Sequence, residues 1–225
     1  MTTTTAIQPP PTPTPTPVTF YFDPLCPWTW ITSRWLVEVE ARGLVAIDWN
    51  VMSLAILNED RLDQIPEQYR ELLGPKGWRP VRALVAVKDK FGNEAAGRLY
   101  TELGERFHPG GEAPELDVIR RALEAAGLPE GAAAELFAYV EGDTYDGEVR
   151  ASHEAGQAAV GEEAGSPVLA LPGPDGEPLG FFGPILSRVP RGEAAERLWE
   201  AARLAATVPG FAEFKRARSE GPLFD

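Results

Sequence analysis

Val18, Thr19, Phe20, Tyr21 and Phe22 form an unbroken β-branched and aromatic run that stops at Asp23-Pro24, a pattern that predicts a buried strand. The period then changes. Ile31, Trp35 and Val39 recur every four residues, Pro27 stands in the first turn and Gly43 follows the last periodic position, which predicts a helix. In "VAIDWNV", residues 45–51, Val45, Ile47, Trp49 and Val51 share one face and predict a second strand. Strand, helix and strand in this order form a βαβ unit with parallel strands and a right-handed crossover.

From about Asn58 to Glu163 the pattern is helical, punctuated by Gly and Pro, with segments near 66–73, 80–91, 94–107, 114–126, 130–140 and 146–163. Strand signals return in "PVLAL" from 167 and "LGFF" from 179, joined by the turn-rich "PGPDGEP", and predict a hairpin. A last helix is expected over about 191–206. The chain therefore divides into an α/β domain, 18–58 and 164–225, interrupted by a helical subdomain, 59–163. Residues 1–17, a Thr/Pro tract, read as a disordered, polyproline-like tail outside the sheet, because alternate residues lack an N–H.

Composition narrows the chemistry. A formal net charge of -13, with no long basic run, disfavours nucleic acid and anionic membrane surfaces as partners. No apolar run reaches a membrane span and the N-terminal tract lacks the features of a secretory signal, so a cytoplasmic location is expected. One cysteine rules out an internal disulfide, and any redox chemistry must recruit a second sulfur from outside. Two histidines, His108 and His153, give no metal-ligand spacing, and "GPDG" lacks the context of a phosphate loop, so neither a metal nor a nucleotide cofactor is expected. His108 reads as a helix-end residue. His153 reads as either site-facing or simply placed on the surface or in the core.

The lone cysteine, Cys26, falls at the start of the first predicted helix. There the helix dipole and unpaired backbone N–H groups favour thiolate, so a thiol titrating below its usual ~8.5 is one reading and a small packed hydrophobe the other. Ser166-Pro167, just ahead of the hairpin, is either an ordinary trans junction or a cis bond whose Ser166 backbone can hold an extended thiol substrate.

The stretches "FDPLCPWTWITSRW", "VMSLAILNE", "IPEQYRE", "GSP", "FFGPILSRVPRGEAAERLW" and the closing "FD" carry a resemblance over residues 20–225. The chain resembles the thioredoxin fold in its helix-inserted, DsbA-like form, and within it the mycothiol-dependent nitroreductases of actinobacteria, a FrnE-like branch. The resemblance implies a motif Cys-Pro-Trp-Cys whose first cysteine attacks a disulfide or is reduced by mycothiol and whose second resolves the mixed disulfide. Carried over, Cys26 matches the nucleophile, Pro27 and Trp28 the intervening pair, and Asn58 and Tyr69 residues near the thiol pocket. Pro167, preceded by Ser166, matches the cis-proline. Thr29 stands at the resolving position and has no sulfur.

That departure removes dithiol chemistry and leaves a monothiol oxidoreductase, in which a second mycothiol or a redoxin frees Cys26. Thr29 either offers its hydroxyl to the Cys26 sulfur or fills the helix face. The competing reading is a thiol-dependent isomerase or transferase acting on an electron-poor double bond; a third is a binding module that has lost catalysis. The partners implied are a low-molecular-weight thiol and a small-molecule substrate. A homodimer stays open.

Overall fold

The computed structural model of the chain describes residues 14–161, 164–173 and 175–224. Its four strands are β1 (Thr16–Phe22), β2 (Val45–Val51), β3 (Val168–Pro172) and β4 (Pro178–Phe182), in the order β2-β1-β3-β4. β1 and β2 are parallel, with Phe20 opposite Trp49, and α1 (Pro27–Ala41) makes the crossover. The hairpin is as expected: β3 runs antiparallel to both β1 and β4, with Leu169 opposite Phe20 and Phe181.

Between β2 and β3 lie α2 (Leu54–Leu57), a 3₁₀ turn (Glu59–Gln64), α3 (Glu67–Arg70), α4 (Pro75–Phe107), α5 (Leu116–Ala125), α6 (Ala132–Phe137) and α7 (Asp146–Ala158). After β4 the chain forms α8 (Glu193–Ala206). The predicted segments 80–91 and 94–107 are one run, α4, broken only at Gly92, whose φ of 82° is open to glycine and strained for other residues. The helix expected over 66–73 contracts to the single turn of α3, and the predicted 146–163 ends at Ala158. Glu162 and Glu163, which read as solvated charge, lie outside the described residues.

One boundary needs correction. The sequence places the whole Thr/Pro tract, as far as Pro17, outside the sheet, yet Thr16 and Pro17 belong to β1 and pair with Val45 and Ala46. Thr16 N–H donates to Leu44 O at 2.9 Å, so alternation turns the donor-less nitrogen of Pro17 away from β2, and pairing with β3 begins only at Thr19. A proline is tolerated where no ladder bond is required. The rest of the expected tail, to residue 13, lies outside the described residues.

Helix α1 is the element that both halves of the molecule grip. Thr29, Thr32 and Trp35, spaced by three, form one stripe and each reaches the C-terminal part of the chain. Thr29 Oγ1 donates to Ser166 Oγ (3.0 Å), Thr32 Oγ1 to Pro184 O (2.7 Å) and Trp35 Nε1 to Ala195 O (3.0 Å). The opposite face meets α4. Trp30 lies against Gly104, where an added Cβ would come within 2.1 Å of the indole ring, and Tyr100 packs edge-on at 5.9 Å. Arg34 lies over the same indole at 4.2 Å and donates to Thr101 Oγ1. With Trp30, Ile31, Trp35, Leu36 and Val39 almost wholly buried, every face of α1 but its solvent edge is fixed. The N-terminus of α1 is held accordingly.

Candidate active site

Cys26 is the N-cap of α1, with extended backbone (φ -82°, ψ 113°) and Pro27 in the first turn. The loop before it is tied down by Asp23. The Asp23 carboxylate accepts from Leu25 N (2.7 Å) and Leu54 N (2.6 Å), and its carbonyl accepts from Cys26 N (3.1 Å). One buried side chain thus joins the cysteine loop to the start of α2. Burial holds the Asp23 carboxyl up at about 6, against the downward pull of the Leu54 and Leu25 amides.

The Ser166-Pro167 bond is cis, as is Gly183-Pro184, which no signal in the sequence singles out. The Cys26 thiol donates to Ser166 O at 3.6 Å, while the Ser166 hydroxyl takes the Thr29 hydrogen bond. Cys26, Thr29 and Ser166 are therefore one buried cluster, 6%, 0% and 6% exposed. The Ser166 carbonyl expected to meet an incoming substrate is occupied by the protein's own thiol.

Of the two readings of Cys26, burial works against the acidic thiol. Loss of solvent pushes the Cys26 thiol upward from its ordinary value. The hydroxyl and amide of Thr29 and the Ser166 side chain pull it down, and the charge on Asp23 adds to the upward push. The helix start supplies donors, as the sequence suggests, but with the sulfur almost wholly enclosed desolvation wins.

The other expected site residues divide. Pro27 and Trp28 flank the thiol, partly exposed. Asn58 is buried but occupied in closing α2, with Nδ2 donating to Leu54 O (2.7 Å) and Oδ1 accepting from Arg61 Nε (3.1 Å). Tyr69 is 48% exposed on α3, and no hydrogen bond or ring contact joins it to Cys26. His108, the C-cap of α4, does more than end a helix. Its Nε2 lies 2.9 Å from Pro24 O, and because a carbonyl only accepts, that nitrogen carries the hydrogen. Burial lowers this histidine to about 4, so it is neutral at physiological pH. His153 is buried, 2% exposed, rather than on the surface.

Sequence reasoning missed the chain after α8. It returns across the thiol end of α1. Leu223 N–H donates to Ser187 O (2.8 Å), Phe224 packs on His108 at 5.6 Å, and the Arg218 guanidinium lies 4.8 Å above the Trp28 indole. The closing mixed-charge stretch carries no periodicity from which such contacts can be read.

A buried N-cap thiol facing a cis-proline, on a βαβ unit with a helical insertion, defines a thioredoxin-like protein of the DsbA type. Solved structures agree on the fold. The cytosolic disulfide reductase DsbM from Pseudomonas aeruginosa superposes with a TM-score of 0.57 at 19% identity, covering 84% of this chain and 100% of that one. A probable DsbA oxidoreductase, SCO1869, from Streptomyces coelicolor gives 0.55 at 13% identity, covering 93% and 99%. The Rv2466c-like family, described as mycothiol-dependent nitroreductase Rv2466c, matches residues 25–216, and the chain belongs to it. A curated relative, the uncharacterized protein Rv2286c of Mycobacterium tuberculosis, is 34% identical over 203 residues, 90% of this chain and 82% of that protein. The protein is a thiol-dependent oxidoreductase by family. Among the described residues no helix is long and apolar enough to cross a membrane.

Proposed function

We propose that the protein is a cytoplasmic, mycothiol-dependent oxidoreductase that works through Cys26 alone. The reading rests on one observation: Thr29 stands one turn from the thiol, its hydroxyl bonded to Ser166 Oγ, in a chain with no other cysteine. With a disulfide as substrate, the Cys26 thiolate attacks one sulfur, the S–S bond breaks and the departing thiolate takes a proton from solvent. A mycothiol thiolate then attacks the Cys26 sulfur and releases the other half of the substrate. A second mycothiol attacks the mycothiol sulfur of the new mixed disulfide, frees Cys26 and leaves as mycothiol disulfide. Two mycothiol thiols lose two electrons and two protons, and the substrate gains them. In this cycle the Thr29 hydroxyl turns from Ser166 Oγ to donate to the Cys26 thiolate, and Ser166 and Pro167 form the wall opposite.

The same buried Thr29 supports a second reading. With no resolving thiol beside it, a covalent adduct on Cys26 persists, which suits addition to an electron-poor double bond in an isomerase or transferase. Electron balance separates the two, since only the oxidoreductase accumulates mycothiol disulfide.

The test is intact-protein mass spectrometry after incubation with oxidised mycothiol, followed by a chase with reduced mycothiol. An adduct on Cys26 that the chase removes is the expected result. A protein that gains no adduct, while Cys26 is still alkylated by iodoacetamide, would transfer the assignment to the addition chemistry.

A further inference from the structure

The segment after α8 carries three exposed cations, Lys215, Arg216 and Arg218, and only Arg218 is placed against the thiol end of α1, over Trp28. Its position is set by anchors on its C-terminal side. Toward the C-terminus, Ser187 Oγ donates to Glu220 O (3.3 Å), Arg188 pairs with the Glu220 carboxylate (3.3 Å) and Leu223 is bonded to Ser187. Beyond these, Phe224 rests on His108, which holds the carbonyl of Pro24 two residues before Cys26. The strap and the cysteine loop thus share an anchor.

The Arg218 guanidinium lies 4.8 Å from the centroid of the Trp28 ring. A guanidinium stacked on an aromatic ring keeps its N–H donors in the plane of the group, free to bind a planar anion bidentately. Among the described residues no carboxylate lies within ion-pair distance of it, and Glu220, two positions on in the chain, pairs with Arg188. The chain as a whole carries a net charge of -13 and repels anions, so an unpaired cation over Trp28, two positions along the chain from Cys26, is a local exception to that balance. We infer that Arg218 is the anion-recognising residue of the site, selecting substrates that carry a carboxylate or similar planar anion beside the atom Cys26 attacks. This inference rests on Cys26 being the nucleophile, as proposed above.

The test compares two alkylating reagents that differ only in charge. Iodoacetate and iodoacetamide each lose iodide to the Cys26 thiolate and form the same C–S bond, with the thiol proton going to solvent. Thiolate fraction and access affect both reagents, so the ratio of their second-order rate constants isolates recognition of the carboxylate. In the full chain, Arg218→Gln is expected to lower the iodoacetate-to-iodoacetamide ratio about fivefold, the size of one partly exposed ion pair. Arg218→Lys, which keeps the charge but loses the planar fork, should give a ratio between those of Arg218→Gln and the unaltered protein, and the control Arg216→Gln should stay within about twofold of the unaltered protein. Salt at 0.5 M should bring the unaltered protein toward Arg218→Gln, since screening weakens exposed charge. An unchanged ratio in Arg218→Gln overturns the inference, including the case in which both rates rise together and Arg218 is only a cover. If neither reagent modifies the unaltered protein, the nucleophile assignment falls with it.

Discussion

The hydroxyl of Thr29 donates to the hydroxyl of Ser166 at 3.0 Å, joining residues 137 positions apart and seating the first turn of α1 against the cis-proline loop. The Cys26 thiol donates to the carbonyl of the same Ser166. Nucleophile and motif departure therefore share one partner. Replacing Thr29 with Val leaves Ser166 Oγ without its donor and removes the hydroxyl that favours thiolate. The expected result is a loss of about 1 kcal/mol in urea unfolding and a higher apparent Cys26 pKa in iodoacetamide rate profiles. A lower pKa in Thr29→Val would contradict the role given to the hydroxyl.

Thr29→Cys places a thiol at the resolving position. After treatment with oxidised mycothiol, this variant should release mycothiol and lose two hydrogens as a disulfide closes between Cys26 and the introduced thiol, while the unaltered protein keeps the adduct. Intact mass spectrometry reads both. Retention of the adduct in the variant would mean that the first turn of α1 does not bring the two positions together.

The upward shift of Cys26 has a consequence for alkaline stability. A thiol whose folded pKa lies above its unfolded value contributes stability that is fully present below the unfolded pKa of ~8.5 and is lost as pH rises through the folded value. Urea midpoints measured from pH 7 to pH 10 should therefore fall more steeply for the unaltered protein than for Cys26→Ala. Parallel pH dependences would show that the thiol is not raised.

Asp23 is expected to act through two amides at once. Asn at this position presents one acceptor and one NH₂, so one of Leu25 N–H and Leu54 N–H loses its partner, at a cost of about 1–3 kcal/mol. The Asp23 carboxyl, at about 6 when folded, contributes stability that is present below its ordinary value near 3.8 and lost as pH rises through 6. The stability gap between the unaltered protein and Asp23→Asn should therefore widen as pH falls from 7 to 4. Chemical denaturation at several pH values would read it, and a gap that narrows would count against the raised carboxyl.

Gly104 tests how the insertion is held on α1. Alanine in a helix interior is favoured over glycine by about 1 kcal/mol, but here a Cβ would lie 2.1 and 2.2 Å from Trp30 ring atoms. The ring is boxed by Arg34, Tyr100 and His108, so overpacking of about 1–3 kcal/mol or more should win. Gly104→Ala is expected to lower the urea midpoint and to speed alkylation of Cys26 by displacing α4 from α1. A stabilised variant would show that the ring moves freely.

The periodicities of 18–51 determined the βαβ unit, the short apolar run "VLAL" from Val168 determined β3, and Pro27 after Cys26 determined which residue caps α1. These are local decisions, made by side chains a few positions apart, and they survive in any fold that buries the same faces. The family motif likewise placed Cys26, Thr29 and Pro167 in one site, which the contacts of Ser166 draw together. Other features depended on residues far apart in the chain. The thiol's acidity followed from how completely the loops around Ser166 and Pro24 exclude water, which no helix-start signal encodes. Pro17 could join β1 because pairing with β3 begins only at Thr19, and His108 gained its neutral, carbonyl-bound state from a loop 84 positions away. Arg218 reached Trp28 through an aperiodic stretch whose course is set by Ser187, Glu220 and Phe224. Burial and long-range hydrogen bonding are properties of the assembled surfaces, and only the tertiary structure brings those surfaces together.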